Sequence, residues 1–134
     1  MKTITVVAQD KVGLLAELSY ILGKSKIQID GIGVETAGEK AIISISTARP
    51  ERAEEILQNN GYDLSRSREF FIKSSDLQGP ELLEVTKILR NHRIKVRETH
   101  VVAKDRDGYV LSLDVDRPRA AYKFLEPMIL NKTS

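Results

Sequence analysis

Thr3-Ile4-Thr5-Val6-Val7-Ala8, then Asp10-Lys11-Val12-Gly13, then Leu14-Leu15-Ala16-Glu17-Leu18 read in turn as a strand, a polar loop and the start of a helix. The β-branched run suits a half-buried pleated strand. Leu14, Leu15, Leu18, Ile21 and Leu22 recur at helical spacing as far as Lys24. The order then returns: an apolar stretch from Phe70 to Lys73, the loop Asp76-Leu77-Gln78-Gly79, and a second Leu-rich helix pattern. The copies are offset by roughly 67 residues, too long for one turn of a solenoid and suited to a duplicated small domain.

Working outward, Lys26 to Thr36 reads as a strand. Its pairs Ile27/Ile29 and Ile32/Val34 are out of phase, which a bulge at Asp30-Gly31 restores to one face. Lys40 to Thr47 alternates, with Ala41, Ile43 and Ile45 on one side. Pro50 opens a helix to about Asn60, buried through Ala53, Ile56 and Leu57, and Tyr62 to Leu64 is a short strand. In the second copy, Glu69 to Ser74 is a strand and Pro80 to Asn91 a helix buried through Leu82, Leu83, Val85 and Leu89. Strands follow at Ile94 to Ala103 and Tyr109 to Val115. Pro118 opens a last helix, buried through Ala121, Phe124, Leu125 and Met128 and shortened by Pro127. Only Asn131 to Ser134 remain, so the final strand of this copy is missing or short and leaves an open sheet edge. The order β-α-β-β-α-β is a split βαβ unit. The expected fold class is therefore α+β: two ferredoxin-like βαββαβ units in tandem, residues 1–65 and 66–134, with antiparallel sheets carrying helices on one face. The other face, with Ser44, Ser46, Ser112 and Asp114, reads as meeting water.

Composition narrows the function classes. The chain has 134 residues, 41% apolar and 30% charged, an ordinary globular balance. A unit half that size buries a lower fraction of its surface than a larger domain and is marginal alone. With no Cys, disulfides and thiolate metal sites are excluded, and two isolated histidines, His92 and His100, specify no metal. The sequence has neither a long apolar run nor a signal-peptide pattern, which leads to an expectation of a cytoplasmic protein without membrane contact. Residues 1–65 hold 7 Lys/Arg and 9 Asp/Glu, residues 66–134 hold 14 and 10, giving −2 and +4. That asymmetry is too small to argue nucleic-acid binding. Phe70, Phe71 and Tyr109 lack the basic-aromatic motif of an RNA-recognition sheet, and Lys104-Asp105-Arg106-Asp107 lacks the downstream Glu of a calcium loop.

The run Asp10 to Leu18, ahead of Ile27-Gln28-Ile29, resembles the opening of an ACT domain. ACT domains are small ferredoxin-like regulatory modules of amino-acid biosynthetic enzymes and of stand-alone regulators. The resemblance covers nearly all of the first copy. It is weaker in the second, where Pro80-Glu81 delays the Leu pattern by two residues after Gly79. The nearest look-alike is a stand-alone tandem ACT protein without a catalytic domain. The resemblance implies a free amino acid held at the loop between first strand and first helix. It also implies units lying side by side through their second strands, with the ligand at the junction.

The chemistry of the loop supports such a site independently. Gly13 opens a helix whose first N–H groups have no intrahelical acceptor and sit at the positive end of its dipole, a pairing that attracts a carboxylate. Asp10 suits an α-ammonium group and Gln9 either end of an amino acid; equally, Asp10 suits an N-cap and Gly13 a turn. The candidate ligand-binding set is Gln9, Asp10, Val12, Gly13 and Leu14 in the first loop, Asp30, Gly31 and Ile32 at the suspected bulge, and Asp76, Gly79 and Arg97 in the second copy. Arg97 suits a ligand carboxylate or a solvated edge-strand charge. No nucleophile, metal set or acid–base pair stands out, so a non-enzyme with no cofactor is expected. The expected function is a regulatory module that binds an amino acid, forms a homodimer and signals to a partner enzyme or regulator. The alternative is a protein–protein interaction module without a small ligand.

Overall fold

The computed structural model describes residues 3–77 and 79–131. The chain forms two compact units, one built on residues 3–68 together with Asn131, the other on Glu69–Leu130. Both are ferredoxin-like α+β units, in tandem along the chain.

The first unit runs β1 (Thr3–Gln9), α1 (Leu14–Lys24), β2 (Gly31–Ala37), β3 (Lys40–Ser46) and α2 (Pro50–Asn59). Its antiparallel sheet has the order β1-β3-β2. Ile4, Val6, Ile43 and Ile45 meet Leu14, Leu18, Leu22, Ala53 and Leu57 in one core. The β2–β3 ladder is unbroken from Gly31↔Ser46 to Ala37↔Lys40. The expected bulge at Asp30-Gly31 is therefore absent. The change of phase arises because the strand begins only at Gly31, and Ile27 is buried from the connection before it. The strand expected at Tyr62 to Leu64 shrinks to a single bridge, Val7 to Asp63. The Asp63 carboxylate accepts the Ser65 N–H at 2.9 Å, which turns the chain out of the ladder. It returns to β1 where Thr5 N–H donates to the Ser67 carbonyl at 3.0 Å. Glu54 on α2 holds this segment, accepting from the Ser67 hydroxyl and, at 2.6 Å, from Arg68. Asn131 donates its side-chain amide to the Thr5 hydroxyl at 3.1 Å.

The second unit runs β4 (Phe70–Ser74), α3 (Pro80–Asn91), β5 (Val96–Asp105), β6 (Gly108–Val115) and α4 (Pro118–Leu125), followed by a 3₁₀ turn over Glu126–Met128. The sheet order β4-β6-β5 repeats the first unit. Pro127 lacks an N–H, and α4 ends two residues before it. No strand follows among the described residues; one backbone bond, Leu130 N–H to the Phe71 carbonyl at 2.7 Å, stands in its place.

The repeat extends to how helices stop. After α1, Ile27 N–H bonds the Leu22 carbonyl and Lys26 N–H the Gly23 carbonyl. After α3, Ile94 N–H bonds Leu89 and Arg93 N–H bonds Arg90 in the same pattern. Both are Schellman caps sealed by a buried Leu–Ile pair, and both force a cationic residue into the left-handed region, Lys26 at φ 61 and Arg93 at φ 57.

Several side chains sit elsewhere than their sequence pattern suggested. Leu15, Leu83 and Phe124 are exposed rather than core, because the buried lines follow Leu14–Leu18–Leu22, Val85–Leu89 and Ala121–Leu125 at i, i+4. Ser44 and Ser112, expected to meet water, are buried, as are Ile42, Phe71 and Val110. Unbroken apolar pairs such as Ile42-Ile43 and Val110-Leu111 mark strands covered on both faces.

Candidate functional site

Gln9 ends β1 opposite Lys40, and the Asp10 N–H donates to the Glu39 carbonyl at 2.8 Å. The first loop is thereby pinned beside the β2–β3 turn. Leu14 N–H donates to the Lys11 carbonyl at 3.3 Å, and the Gly13 carbonyl accepts the Glu17 N–H at 2.9 Å. Gly13 is the N-cap of α1 at φ 85, ψ 1, a left-handed conformation that side-chain-bearing residues adopt at a cost. No side chain caps this helix, so Asp10 is not an N-cap. A methyl group built on Gly13 would meet nothing within 4 Å. Val12 is fully exposed and Leu15 partly so, giving the open helix start an apolar rim. Lys11 and Glu17 pair at 2.9 Å, and the Lys11 ammonium holds the Glu17 carboxyl below the ordinary carboxylate range.

The second loop has the same place in the fold and the opposite state. Gly79, the N-cap of α3, is extended at φ −68, ψ 165. A methyl group there would lie 2.9 Å from Glu81 Oε2, Ser74 Oγ and Ser75 Oγ. Ser75 donates its hydroxyl to Glu81 Oε2 at 3.2 Å. Its own backbone N–H, and after it Ser75, hold the Glu81 carboxyl below its ordinary value, while the Ser74 hydroxyl donates to the Asp76 carbonyl at 2.6 Å. No side-chain hydrogen bond caps α3 either, but the Glu81 carboxylate lies against Gly79 with the Ser74 and Ser75 hydroxyls and fills the space that stands open at Gly13. Gly108 closes the loop from behind: a methyl group on it, at φ 138, would stand 2.2 Å from the Ser74 carbonyl oxygen. Asp76 belongs to this loop, and Gln78 lies outside the described residues.

The remaining candidates do not converge on either loop within a unit. Gly31 pairs with Ser46 and Ser46 with Thr3, so Asp30, Gly31 and Ile32 lie at the opposite end of the sheet from Gln9 to Gly13. A strand of this length separates them by about 20 Å. Asp30 donates its N–H to the Ser46 carbonyl at 2.8 Å, and Ile32 packs on the core. Arg97 likewise lies at the start of β5, at the register break between Val96 and Glu98, far from Gly79. The signal for Glu81 was present in Gly79-Pro80-Glu81 after paired serines, since an acidic residue in a first turn complements the helix dipole.

Of the described cavities, one of ≈ 520 Å³ in the first unit is lined by Glu51, Glu54, Tyr62 and Asp63, and one of ≈ 220 Å³ in the second by Ile72, Lys73, Glu81 and Val85. Burial raises the Glu54 carboxyl, but the hydrogen bonds from Arg68 and Ser67 outweigh it and leave the group below its ordinary value. Among the described residues no group of three or more His, Cys, Asp or Glu could hold a metal ion, and no helix is long and apolar enough to cross a membrane.

No protein-family model matches the chain, and no curated protein matches it. Solved structures similar to it include protein BT0572 from Bacteroides thetaiotaomicron, 14% identical over 98% of this chain and 90% of that one, with a TM-score of 0.49. The ligand-free regulatory subunit of aspartate kinase from Thermus thermophilus is 14% identical over 93% and 90%, with a TM-score of 0.42. The aspartokinase alpha and beta subunits are 12% identical over 94% and 91%, with a TM-score of 0.39. At these scores a functional reading rests on this chain's own residues.

Proposed function

We propose that the chain is a non-catalytic, cytoplasmic regulatory module made of two ACT-like domains, residues 1–65 and 66–134, that binds a free amino acid through its first loop. The observation that carries this reading is the uncapped start of α1, open at Gly13, in a segment that resembles the ACT ligand loop. The ligand α-carboxylate takes the first-turn N–H groups of Leu15 and Ala16, since the Leu14 N–H already donates to the Lys11 carbonyl, and the favourable end of the helix dipole. Asp10 takes the α-ammonium, Gln9 orients it, and the exposed Val12 borders the side chain, while the Leu14 side chain is turned into the core. Asp30, Gly31 and Ile32 join this site only through a second copy. Antiparallel pairing of two β2 edges about a two-fold axis brings the beginning of one β2 to the end of the other, which the first loop adjoins. The unbroken register of β2 suits it to such pairing. The ligand then favours the paired state by its difference in affinity between paired and free forms, and a partner enzyme or regulator reads the change.

Thermal unfolding of the full chain with each of the twenty amino acids tests this. At least one raises the melting temperature, since ligand at about a hundred times its Kd stabilises by about 2.7 kcal/mol. A flat response across all twenty from a folded protein favours the second reading, in which the β2 edge serves protein–protein pairing alone.

A further inference from the structure

The duplication supplies an internal control: a residue type that one unit carries and the other folds without is not needed for the fold. Matched through the Leu22/Leu89 and Ile27/Ile94 caps and the helix starts Pro50 and Pro118, the two units differ in charge at one end. Arg90, Arg93, Lys95, Arg97, Arg117 and Arg119 of the second unit correspond to Gly23, Lys26, Gln28, Asp30, Arg49 and Glu51 of the first. Six cations thus stand where the first unit has two cations and two carboxylates.

These six share one place in the fold. Lys95 N–H donates to the Asp116 carboxylate at 2.9 Å while Asp116 N–H donates to the Lys95 carbonyl at 3.0 Å, which lays the start of β5 against the end of β6. The His92 ring at the end of α3 stacks on Phe124 of α4 with ring centres 3.6 Å apart. Phe124 is the next-to-last residue of α4, so that stack marks the far end of the helix. The end of α3 and the start of α4 come to the same end of the sheet because four residues lead from α3 into β5 and two from β6 into α4. All six cations are exposed, and among the described residues none has an ion-pair or hydrogen-bond partner for its side chain.

We propose that this arginine-rich end of the second unit is the docking surface for an acidic segment of a partner protein. The inference rests on the regulatory reading above, which requires such a partner. Five of the six cations are arginines, whose planar forks match carboxylates in pairs. Glu98, Asp114 and Asp116 lie among them and break up the positive charge that a continuous phosphate backbone draws on. The His92 and Phe124 rings stack on each other, which engages one face of each.

The test uses the full chain, a labelled decapeptide of glutamate as probe, and fluorescence anisotropy. Binding is expected, falling roughly tenfold or more between low and high salt. It falls as far in the triple variant Arg90→Glu, Arg117→Glu, Arg119→Glu, and partway in the neutral triple variant with Gln, which guards against misfolding in the reversed one. The single variant Arg49→Glu in the first unit leaves it unchanged. Unchanged peptide affinity in both triple variants overturns the proposal. So does tighter binding of a single-stranded oligonucleotide that the same variants abolish. The amino-acid thermal shift, measured in parallel, separates the two claims. If the shift persists in the triple variants while the peptide never binds, the docking surface alone falls. If the peptide binds as expected and no amino acid shifts the melting temperature, the sensor reading falls.

Discussion

The loop before α1 and the loop before α3 hold equivalent places in a duplicated fold, yet one is open and the other filled. At the first, Gly13 is left-handed and a methyl group built on it would meet nothing within 4 Å. At the second, Glu81 folds back with Ser74 and Ser75 to lay a carboxylate over the corresponding turn, and Gly108 seals the rear. The difference teaches what a helix start asks for. An anion is favourable at either helix start, and the second unit places its own carboxylate there while the first leaves the space at Gly13 open.

The largest expected effect comes from steric closure. Gly108→Ala drives a methyl group into the Ser74 carbonyl at a strained φ and costs about 3 kcal/mol or more in denaturant unfolding. Gly13→Ala meets no atom and carries only the left-handed penalty, about 1 kcal/mol. Equal costs for the two would remove the contrast in crowding. In the other direction, Lys26→Gly and Arg93→Gly relieve the same strained cap in both units, and each stabilises by about 1 kcal/mol. A gain at only one of them would mean that the helix ends are not equivalent.

Smaller effects lie in acid titration. Glu81 has a folded pKa below its ordinary value, so its contribution is present above the unfolded pKa and is lost as pH falls through the folded one. Glu81→Gln therefore lowers stability at neutral pH and flattens the decline seen on acidification. Glu54 follows the same sign, through Arg68 and Ser67. Glu54→Gln costs about 1 kcal/mol at pH 7, since charge-assisted bonds near the surface are partly screened. Unfolding curves from pH 7 to pH 3 check both, and variants that parallel the parent protein across that range would contradict these assignments.

The duplication, the four helices and the lack of a closing strand among the described residues of the second unit were legible because Leu spacing, paired prolines and β-branched runs carry local information. Three features were not. The covered second face carries Ser44 and Ser112, whose polarity masks the alternation of Ile42 and Phe71 with the core residues beside them. The phase change before β2 looked like a bulge because Ile27 is buried without belonging to the strand. The plug at α3 was missed because a side chain folding back on its own helix start leaves no periodic trace. For the candidate site, the contiguous Gln9 to Leu14 segment follows from the sequence, whereas the distance to Asp30 depends on strand direction, which spacing does not encode.

The central claim is most directly tested by amide NMR of the full chain titrated with the twenty amino acids. The account predicts that the stabilising one moves the backbone N–H resonances of Gly13, Leu14, Leu15 and Ala16 and leaves Gly79 and Glu81 in place. Movement at Gly79 and Glu81 with a still first loop, or no movement at either for any amino acid, would contradict it.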